Sequence, residues 1–224
     1  MPRAGIESVA TVSIAILAKA PVAGLAKTRL IPHLGAEAAA ALQGWLLQRA
    51  VDTALQAGLG PVTLWCAPDC SHPVFSALQT DTGICLQAQP EGDLGLRMQT
   101  AAMESPTPAT LIIGTDCPVL TPETLRNAAA ALLENEVVLT PAEDGGYVLI
   151  GLRKSCATDS RIFENIEWSS ARVMAQTRQG LQSAQRRWHE MATLWDVDTA
   201  ADFERLAAIH PSLRALVQPT GATA

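Results

Sequence analysis

The chain has 224 residues, 48% of them hydrophobic, and a formal net charge of −6 at pH 7. This length suits one large domain or two small ones, and we expect one. Because the charge balance is acidic, we predict neither nucleic acid nor an anionic membrane as a partner.

The cysteines and the first apolar run point to the cytoplasm. Five cysteines are odd in number and form no Cys-x-x-Cys pair, which fits reduced thiols better than disulfides or a zinc site. Residues 9–18 are mostly apolar, but Thr11 and Ser13 interrupt the run and a basic loop follows it. We interpret this run as a first strand and not as a targeting signal. No run approaches the length of a transmembrane helix.

The predicted first strand, Val12–Ala18, is followed directly by a basic loop. Lys19, Lys27 and Arg29 fall within eleven residues of a chain that has only 16 Lys and Arg in all. This density favours an anion site over a basic surface loop, with Gly24 permitting close approach of the backbone to a phosphate. The glycines of a Walker A motif are missing, so a P-loop ATPase is not predicted.

Strands and helices alternate along the rest of the chain. The sequence predicts helices over residues 35–57, 121–133 and 171–183, a helix that follows the turn at 91–97 and runs to about residue 103, and a last helix after Thr199. It predicts strands over residues 62–67, 84–87, 111–113, 137–140, 148–150 and 187–191. The segment between the second and third strands is predicted as a polar loop. The alternation predicts one α/β domain over residues 1–210, with a mostly parallel sheet covered by helices on both faces. Residues 211–224 are predicted to form a loosely held tail.

The apolar run Leu111–Ile113 stops abruptly at a glycine and an acid. Three residues are too few for a helix, and the β-branched pair suits a strand that is buried on both faces. Asp116 therefore follows the carboxyl end of a strand. In open parallel α/β sheets ligands bind in that crevice, where a carboxylate can hold a divalent cation against a phosphate. The alternative is that Asp116 only caps the following turn.

Further candidate residues lie between the later strands. Asp144 precedes Gly145 and Gly146, which marks a place where backbone can lie against a ligand, although Asp-Gly is equally a common hairpin turn. Tyr147 is the only tyrosine of the chain. It is a candidate for one wall of a pocket or for packing within a strand.

Two acids, Asp196 and Asp198, precede the final helix. In an extended segment both would point the same way, so that one of them can face a metal ion. Asp202 forms a capping box with Thr199 and is predicted to be structural.

Five motifs carry a resemblance to a known family. They are Lys19-x-Pro-x-x-Gly-x-x-Lys-Thr-Arg-Leu30, Gly114-Thr-Asp-Cys-Pro118, Pro141-Ala-Glu-Asp-Gly-Gly-Tyr147, Trp168-Ser169 and Asp196-Val-Asp-Thr199. Together they resemble the DUF2064 family, customarily labelled glycosyltransferases, over nearly the whole chain from Thr11 to about Leu206. That family is grouped with the GT-A-like nucleotide-diphospho-sugar transferases. The first loop and the Asp-Gly-Gly segment also resemble 2-phospho-lactate guanylyltransferases.

The resemblance implies a single-domain GT-A-like (Rossmann-like) fold and assigns roles to the candidate residues. It implies that Lys19, Lys27 and Arg29 hold the nucleotide phosphates, and from the residues themselves we predict that Gly24, Gly145, Gly146 and Tyr147 also contact the nucleotide. It implies Mg²⁺ or Mn²⁺ held by Asp116 and Asp198, with Asp196 as the alternate ligand. We predict Lys27, Asp116 and Asp144 as the catalytic residues, with Asp144 positioning or deprotonating an acceptor hydroxyl. The first loop departs from the nucleotidyltransferase pattern at Pro21, Val22 and Ala26. Asp116 is followed by Cys117 and Pro118 and not by a second acid, so the Asp-x-Asp of many sugar transferases is missing.

These features predict a metal-dependent transferase that uses a nucleotide donor and a small-molecule acceptor. Three loop cations and a divalent ion match a triphosphate, with about four negative charges, better than a nucleotide sugar with about two. We therefore favour nucleotidyl transfer from an NTP to a small phosphorylated acceptor. A glycosyltransferase is the first alternative, and a nucleotide-binding module without catalysis is the second.

Overall fold

The structure, a computed structural model, describes residues 11–217, and their side chains as far as residue 215. The strands are β1 (Val12–Lys19), β2 (Val62–Ala67), β3 (Cys85–Ala88), β4 (Ala109–Ile113), β5 (Val137–Pro141), β6 (Tyr147–Arg153) and β7 (Trp188–Glu190). The α-helices are α1 (Ile31–Leu34), α2 (Ala36–Ala57), α3 (Pro73–Thr82), α4 (Leu94–Met103), α5 (Pro122–Ala131), α6 (Lys154–Ala157), α7 (Val173–Ser183) and α8 (Ala200–Ile209). Short 3₁₀ helices span Thr28–Leu30, Ser160–Ile162 and Pro211–Val217.

The seven strands form one sheet in the order β3-β2-β1-β4-β6-β5-β7. Only β6 runs antiparallel to its neighbours, β4 and β5, and the other pairings in the sheet are parallel. The carboxyl ends of six strands therefore lie at one edge, where β6 begins. The predicted mostly parallel α/β sheet is confirmed.

Helices cover both faces of the sheet, as predicted. On one face α2, α3 and α5 bury Leu47, Phe75 and Leu125 against β1, β2 and β4. On the other face α4, α6 and α7 bury Met98 and Met174 against the same sheet. Because the central strands are apolar on both faces, they are stable only when both faces are covered. This arrangement leaves the strand ends accessible for chemistry.

The sequence leaves open whether the Asp-Gly-Gly segment between β5 and β6 is a hairpin turn or a place where backbone lies against a ligand. The N–H of Gly145 donates to the carbonyl of Ala142 at 3.2 Å, and the N–H of Ala142 donates to the carbonyl of Gly146 at 3.0 Å. The segment is thus a hairpin turn between antiparallel strands. The same turn faces the cavity described below, so the two interpretations are compatible.

Three further predictions concern the segment between β2 and β3, the start of α8 and the C-terminal residues. The predicted polar loop between the second and third strands contains α3, which the sequence analysis missed. Asp202 forms the predicted capping box with Thr199. Of the predicted tail, Pro211–Val217 is a 3₁₀ helix whose Leu213 is 4% exposed, and residues 218–224 lie outside the described residues. Within residues 11–217, no helix is both long and apolar enough to cross a membrane.

Candidate active site

A cavity of about 520 Å³ opens at the carboxyl edge of the sheet. Its volume lies in the range of about 300–1,000 Å³ that small-molecule sites usually have. Of the predicted site residues, those that line the cavity are Lys19, Lys27, Arg29, Asp116, Asp144, Gly146, Tyr147, Asp196 and Asp198. The structure thus brings together residues from four loops that are far apart in sequence.

Lys27 lies at the centre of this arrangement. Its backbone has φ 48°, a left-handed conformation that is strained for a residue with a side chain. The side chain is only 5% exposed, and its Nζ lies 2.8 Å from Oδ1 of Asp116. Nζ also donates to the carbonyl of Val197 at 2.6 Å. An ammonium has three N–H donors, so one donor remains for a ligand.

A backbone contact joins the same two loops. The N–H of Val197 donates to the carbonyl of Asp116 at 2.9 Å, next to the bond from Lys27. Val197 is fully buried in a core cluster with Leu30 and Phe203, which anchors this segment on α2 and α8. The positions of the Asp116 and Asp198 backbones are therefore set by packing as well as by charge.

The other two predicted cations are more accessible than Lys27. Arg29 donates from Nη1 to Oδ2 of Asp198 at 2.6 Å, and its side chain is 67% exposed. Lys19, at the end of β1, is exposed and lines the cavity. Exposed ion pairs contribute little to stability, so the Arg29 guanidinium can exchange its partner for a phosphate at small cost.

A hydrogen-bond chain behind Asp116 was not predicted from the sequence. Gln43, on α2, is 4% exposed and donates from Nε2 to the hydroxyl of Thr115 at 3.0 Å. The Thr115 hydroxyl donates in turn to Oδ1 of Asp116 at 3.1 Å. Gln43 falls on the apolar face of a helix that seemed purely structural, and a buried amide on that face was the available signal.

The acids at this edge influence one another. Burial first, and then the neighbouring carboxylates of Asp144, Asp198 and Asp116, raise the pKa of Asp196 to about 6. Four acids and three cations line the one cavity. The cavity therefore has a net negative charge when all of them are ionised.

The Asp-Gly-Gly turn serves two purposes. Oδ1 of Asp144 accepts from the N–H of Gly146 at 2.8 Å, which fixes the acid at the cavity. Gly145 has φ +92°, and a Cβ there would collide with the carbonyl of Ala171. Its own carbonyl accepts from the N–H of Met174 at 2.8 Å, so this turn holds the start of α7.

Two of the predicted phosphate-binding glycines do not line the cavity. Gly145 is turned towards the segment before α7, and Gly24 makes an exposed turn with φ +81°. Both glycines are explained by backbone conformation, because residues with a side chain rarely adopt such φ values. Their predicted role in nucleotide binding finds no support in this geometry.

Aromatic residues form another wall of the cavity. Tyr147 lines the cavity and also packs against the core, and burial raises the pKa of its hydroxyl. Trp168 lines the cavity beside Gly95, where a Cβ would lie 2.8 Å from the indole ring. Ser169 follows with φ 65°, a strained conformation within the cavity lining.

The donor chemistry of the site suits a hard divalent cation. Among residues 11–217, no three His, Cys, Asp or Glu side chains lie close enough together to form a complete metal cage. Mg²⁺ is usually held by one or two carboxylates together with substrate phosphates and waters. Asp116 and Asp198, both beside Lys27, fit this partial mode of binding.

Comparisons with known proteins agree with this fold. A family sequence model described as "Uncharacterized protein conserved in bacteria (DUF2064)" matches residues 50–170, which is more than half of the chain. The chain belongs to the DUF2064 family. The resemblance inferred from the motifs is therefore confirmed. No curated protein matches this DUF2064 chain significantly.

Several solved structures are similar to this DUF2064 protein. A protein from Desulfovibrio desulfuricans G20, provisionally named a nucleotide-diphospho-sugar transferase, is 26% identical with a TM-score of 0.78, covering 93% of this chain and 97% of its own. CMP:2-keto-3-deoxy-manno-octonic acid synthetase in complex with CTP is 15% identical with a TM-score of 0.59, covering 90% and 99%. Rv0371c from Mycobacterium tuberculosis H37Rv in complex with manganese is 19% identical with a TM-score of 0.52, covering 88% and 98%. The latter two show the fold alone.

Proposed function

We propose that this protein is a nucleotide-dependent transferase that moves a nucleotide from an NTP to a small phosphorylated acceptor. The observation that carries the proposal is the convergence of Lys27, Asp116 and Asp198, from three loops, at the carboxyl edge of the sheet. The fold, and the 26% identical protein provisionally named a nucleotide-diphospho-sugar transferase, support the class of nucleotide-dependent transferase.

In nucleotidyl transfer, an oxygen of the acceptor forms a bond to the α-phosphorus of the NTP. The bond between that phosphorus and the bridging oxygen breaks, and pyrophosphate leaves with the electron pair. Lys27 has one unused N–H donor for the departing diphosphate, and Arg29 can add its guanidinium. Asp144 lines the same cavity and would position the attacking oxygen of the acceptor.

A divalent ion is part of the proposal. Bound by Asp116 and Asp198, Mg²⁺ or Mn²⁺ would stabilise the negative charge that builds up on the diphosphate. The charges of the cavity give an additional reason: four acids outnumber three cations, so a polyanion meets a negative site unless positive charge is added. Manganese in a structure of the same fold is consistent with this requirement.

The choice between nucleotidyl and glycosyl transfer rests on particular residues. The count of loop cations does not decide it, because Lys27 and Arg29 are each paired with a carboxylate. Pro118 stands two positions after Asp116, where the Asp-x-Asp of many sugar transferases has its second acid, and this favours nucleotidyl transfer. The name of the 26% identical protein favours the alternative, a glycosyltransferase that uses a nucleotide sugar.

The two reactions release different products, which gives the test. Purified protein with Mg²⁺ is incubated with each NTP and a pool of phosphorylated metabolites, and pyrophosphate is measured. In parallel, nucleotide sugars replace the NTPs and nucleoside diphosphate is measured. We expect acceptor-dependent pyrophosphate. Nucleoside diphosphate from a nucleotide sugar, with no pyrophosphate from any NTP, would establish the glycosyltransferase instead.

A further inference from the structure

The cavity consists of a charged part and an apolar part. The charged part follows the loops that carry Lys27, Asp116 and Asp198. The apolar part, which we name the apolar subsite, is lined by Leu17, Leu94, Met98, Ile112, Tyr147 and Trp168.

The floor of the apolar subsite is the surface of the sheet. Ile112 of β4 pairs directly with Ile150 of β6 and with Ala15 of β1. Leu17 lies two residues beyond Ala15, so its side chain is on the same face. Ile112, Ile150 and Met98 belong to the core cluster between the sheet and α4, α6 and α7. The cavity therefore extends from the acids to a floor that is continuous with the hydrophobic core.

Two large apolar side chains lie exposed at the cavity. Leu25, in the basic loop, is 60% exposed, and Leu94, at the start of α4, is 42% exposed, and both line the cavity. Covering such side chains with a non-polar group removes apolar area from water and favours binding.

The composition of the apolar subsite argues against the nucleobase as its occupant. Of its six side chains, only Tyr147 and Trp168 carry a polar group. The Tyr147 hydroxyl already faces the sulfur of Met98 at 3.8 Å, which leaves a single donor, the Trp168 N–H, without a partner in the described part of the chain. Selection of a base requires hydrogen bonds to its edges, which aliphatic side chains cannot make. Asp144 lies in the turn that leads directly into Tyr147, and so connects the acids with the apolar subsite.

We propose that the apolar subsite binds a non-polar portion of the acceptor, so that the acceptor is a phosphomonoester carrying an aliphatic or aromatic group. The proposal rests on the proposed function, which puts the attacking oxygen of the acceptor beside Asp144. The attacking atom is a terminal oxygen of the acceptor phosphate, and the organic group on the ester oxygen of the same phosphate would extend from the acid into the apolar subsite.

The test uses a series of simple phosphates as probes. Inorganic phosphate and methyl, n-propyl, n-pentyl and phenyl phosphate are titrated into the full-length protein by calorimetry with saturating Mn²⁺. We expect the affinity to rise about fourfold per methylene group, which corresponds to about 0.8 kcal/mol for each buried CH₂. Phenyl phosphate should bind more tightly than methyl phosphate for the same reason.

Two leucine variants test whether the gain in affinity per methylene group arises in the apolar subsite. Leu94→Gln changes an apolar side chain of the cavity, whereas Leu133→Gln changes a 58% exposed leucine that is not among the cavity residues. We expect Leu94→Gln to reduce the gain per methylene without changing the affinity for inorganic phosphate. Leu133→Gln should retain the wild-type gain.

The outcomes separate this inference from the proposed function. Affinity independent of chain length in the wild type, no binding of any alkyl phosphate, or the same gain in both variants would overturn the apolar subsite. A clear gain with chain length, but no pyrophosphate from any NTP, would support the subsite and refute nucleotidyl transfer. Pyrophosphate release from an NTP, together with equal affinity for every phosphate of the series, would support nucleotidyl transfer and refute the apolar subsite.

Discussion

Thr115 connects the interior of the protein with the candidate active site. Its hydroxyl accepts from the buried amide of Gln43 and donates to Asp116, at 3.0 and 3.1 Å respectively. Gln43 also reaches the carbonyl of Lys19 at 3.4 Å. The Asp116 carboxylate is thus oriented by α2 through Thr115, whose hydroxyl donates to the same oxygen, Oδ1, that Lys27 contacts.

Thr115→Val preserves the shape of the side chain and removes its hydroxyl. We expect the free energy of unfolding to fall by about 1–3 kcal/mol, because the buried amide of Gln43 loses a partner. Mn²⁺-dependent nucleotide affinity should fall as well, because the Asp116 carboxylate loses a donor. Calorimetry and denaturant unfolding measure the two effects.

Thr140→Val is the matched control for that variant. The Thr140 hydroxyl is buried in β5 and has no hydrogen-bond partner in the described part of the chain. Removing an unsatisfied polar group should leave the free energy of unfolding unchanged or raise it. Equal losses of stability in the two valine variants would contradict the role given to Thr115.

At the level of single residues, the charged side chains of the site could be predicted from the sequence more readily than its hydrogen bonds. Lys27, Asp116 and Asp198 stand out because charged residues in the loops that follow parallel strands lie at one edge of the sheet. Gln43 could not be found in this way, because its partners, Thr115 and Lys19, are residues that only the folded chain brings to α2. Its neighbours on the helix face are ordinary core residues.

At the scale of elements, the β5–β6 turn and the start of α7 depend on each other. Gly145→Ala would put a Cβ against the Ala171 carbonyl, at a residue whose φ is +92°. We expect a loss of more than about 2 kcal/mol in the free energy of unfolding, since both the conformation and the contact are unfavourable. Acceptor binding should weaken too, because Asp144, which the proposed function puts beside the attacking oxygen, belongs to this turn.

Gly114→Ala provides the comparison for that loss. This glycine lies beside Asp116, but a Cβ there meets no heavy atom within 4 Å, and its φ is outside the left-handed region. The free energy of unfolding should change by no more than about 0.5–1 kcal/mol. If Gly145→Ala were tolerated as well as Gly114→Ala, the turn would not hold α7.

Helices with a long apolar face or a clear N-cap were predicted from the sequence, whereas the short helix α3 was not. The helix α8 follows from its capping box, and the long apolar face of α2 fixes Ala36–Ala57. The helix α3 buries only Phe75 and Leu78, which is too few residues for the apolar spacing to show against a polar background. Its position under β2 and β3 is determined by tertiary packing.

At the scale of the whole molecule, an ion-pair network binds the α6–α7 layer to the edge of the sheet. Arg186 contacts Glu136, just before β5, and Asp159, just after α6, both at 3.0 Å. Hydrogen bonds from Arg161 first, and then from Arg186, hold the pKa of the Asp159 carboxyl well below its usual range. The backbone N–H of Arg187 first, and then Arg186, lower the pKa of Glu136.

These depressed pKa values predict a loss of stability in acid. Both carboxylates stabilise the fold above their ordinary pKa values of about 3.9 and 4.3, and this contribution is lost as the pH falls through the lower folded-state values. We expect the free energy of unfolding to decrease from about pH 5 downwards. Arg186→Met should make that decrease shallower, whereas Arg126→Met, at an exposed arginine bonded to the carbonyl of Gln56, should not. Identical pH profiles in both variants would contradict the network.

The overall architecture could be predicted because strands and helices alternate from β1 to α5. The antiparallel direction of β6 was not predicted, although the Asp-Gly-Gly connection between β5 and β6 is too short to join parallel strands. The order of strands was not predicted at all. It depends on which strand edges pair, and that is decided by packing between residues distant in sequence.

The central claim is that this edge of the sheet binds a nucleotide together with a divalent ion held by Asp116. The most direct measurement is calorimetric titration of NTPs into the wild type, Asp116→Asn and Asp81→Asn, each with Mn²⁺ and with a chelator. Asp81 is an exposed acid on α3 that does not line the cavity. We expect Mn²⁺ to raise nucleotide affinity strongly in the wild type and in Asp81→Asn, and not in a folded Asp116→Asn, because a neutral amide cannot replace a carboxylate towards a hard cation. Unchanged Mn²⁺-dependent affinity in folded Asp116→Asn would contradict the account.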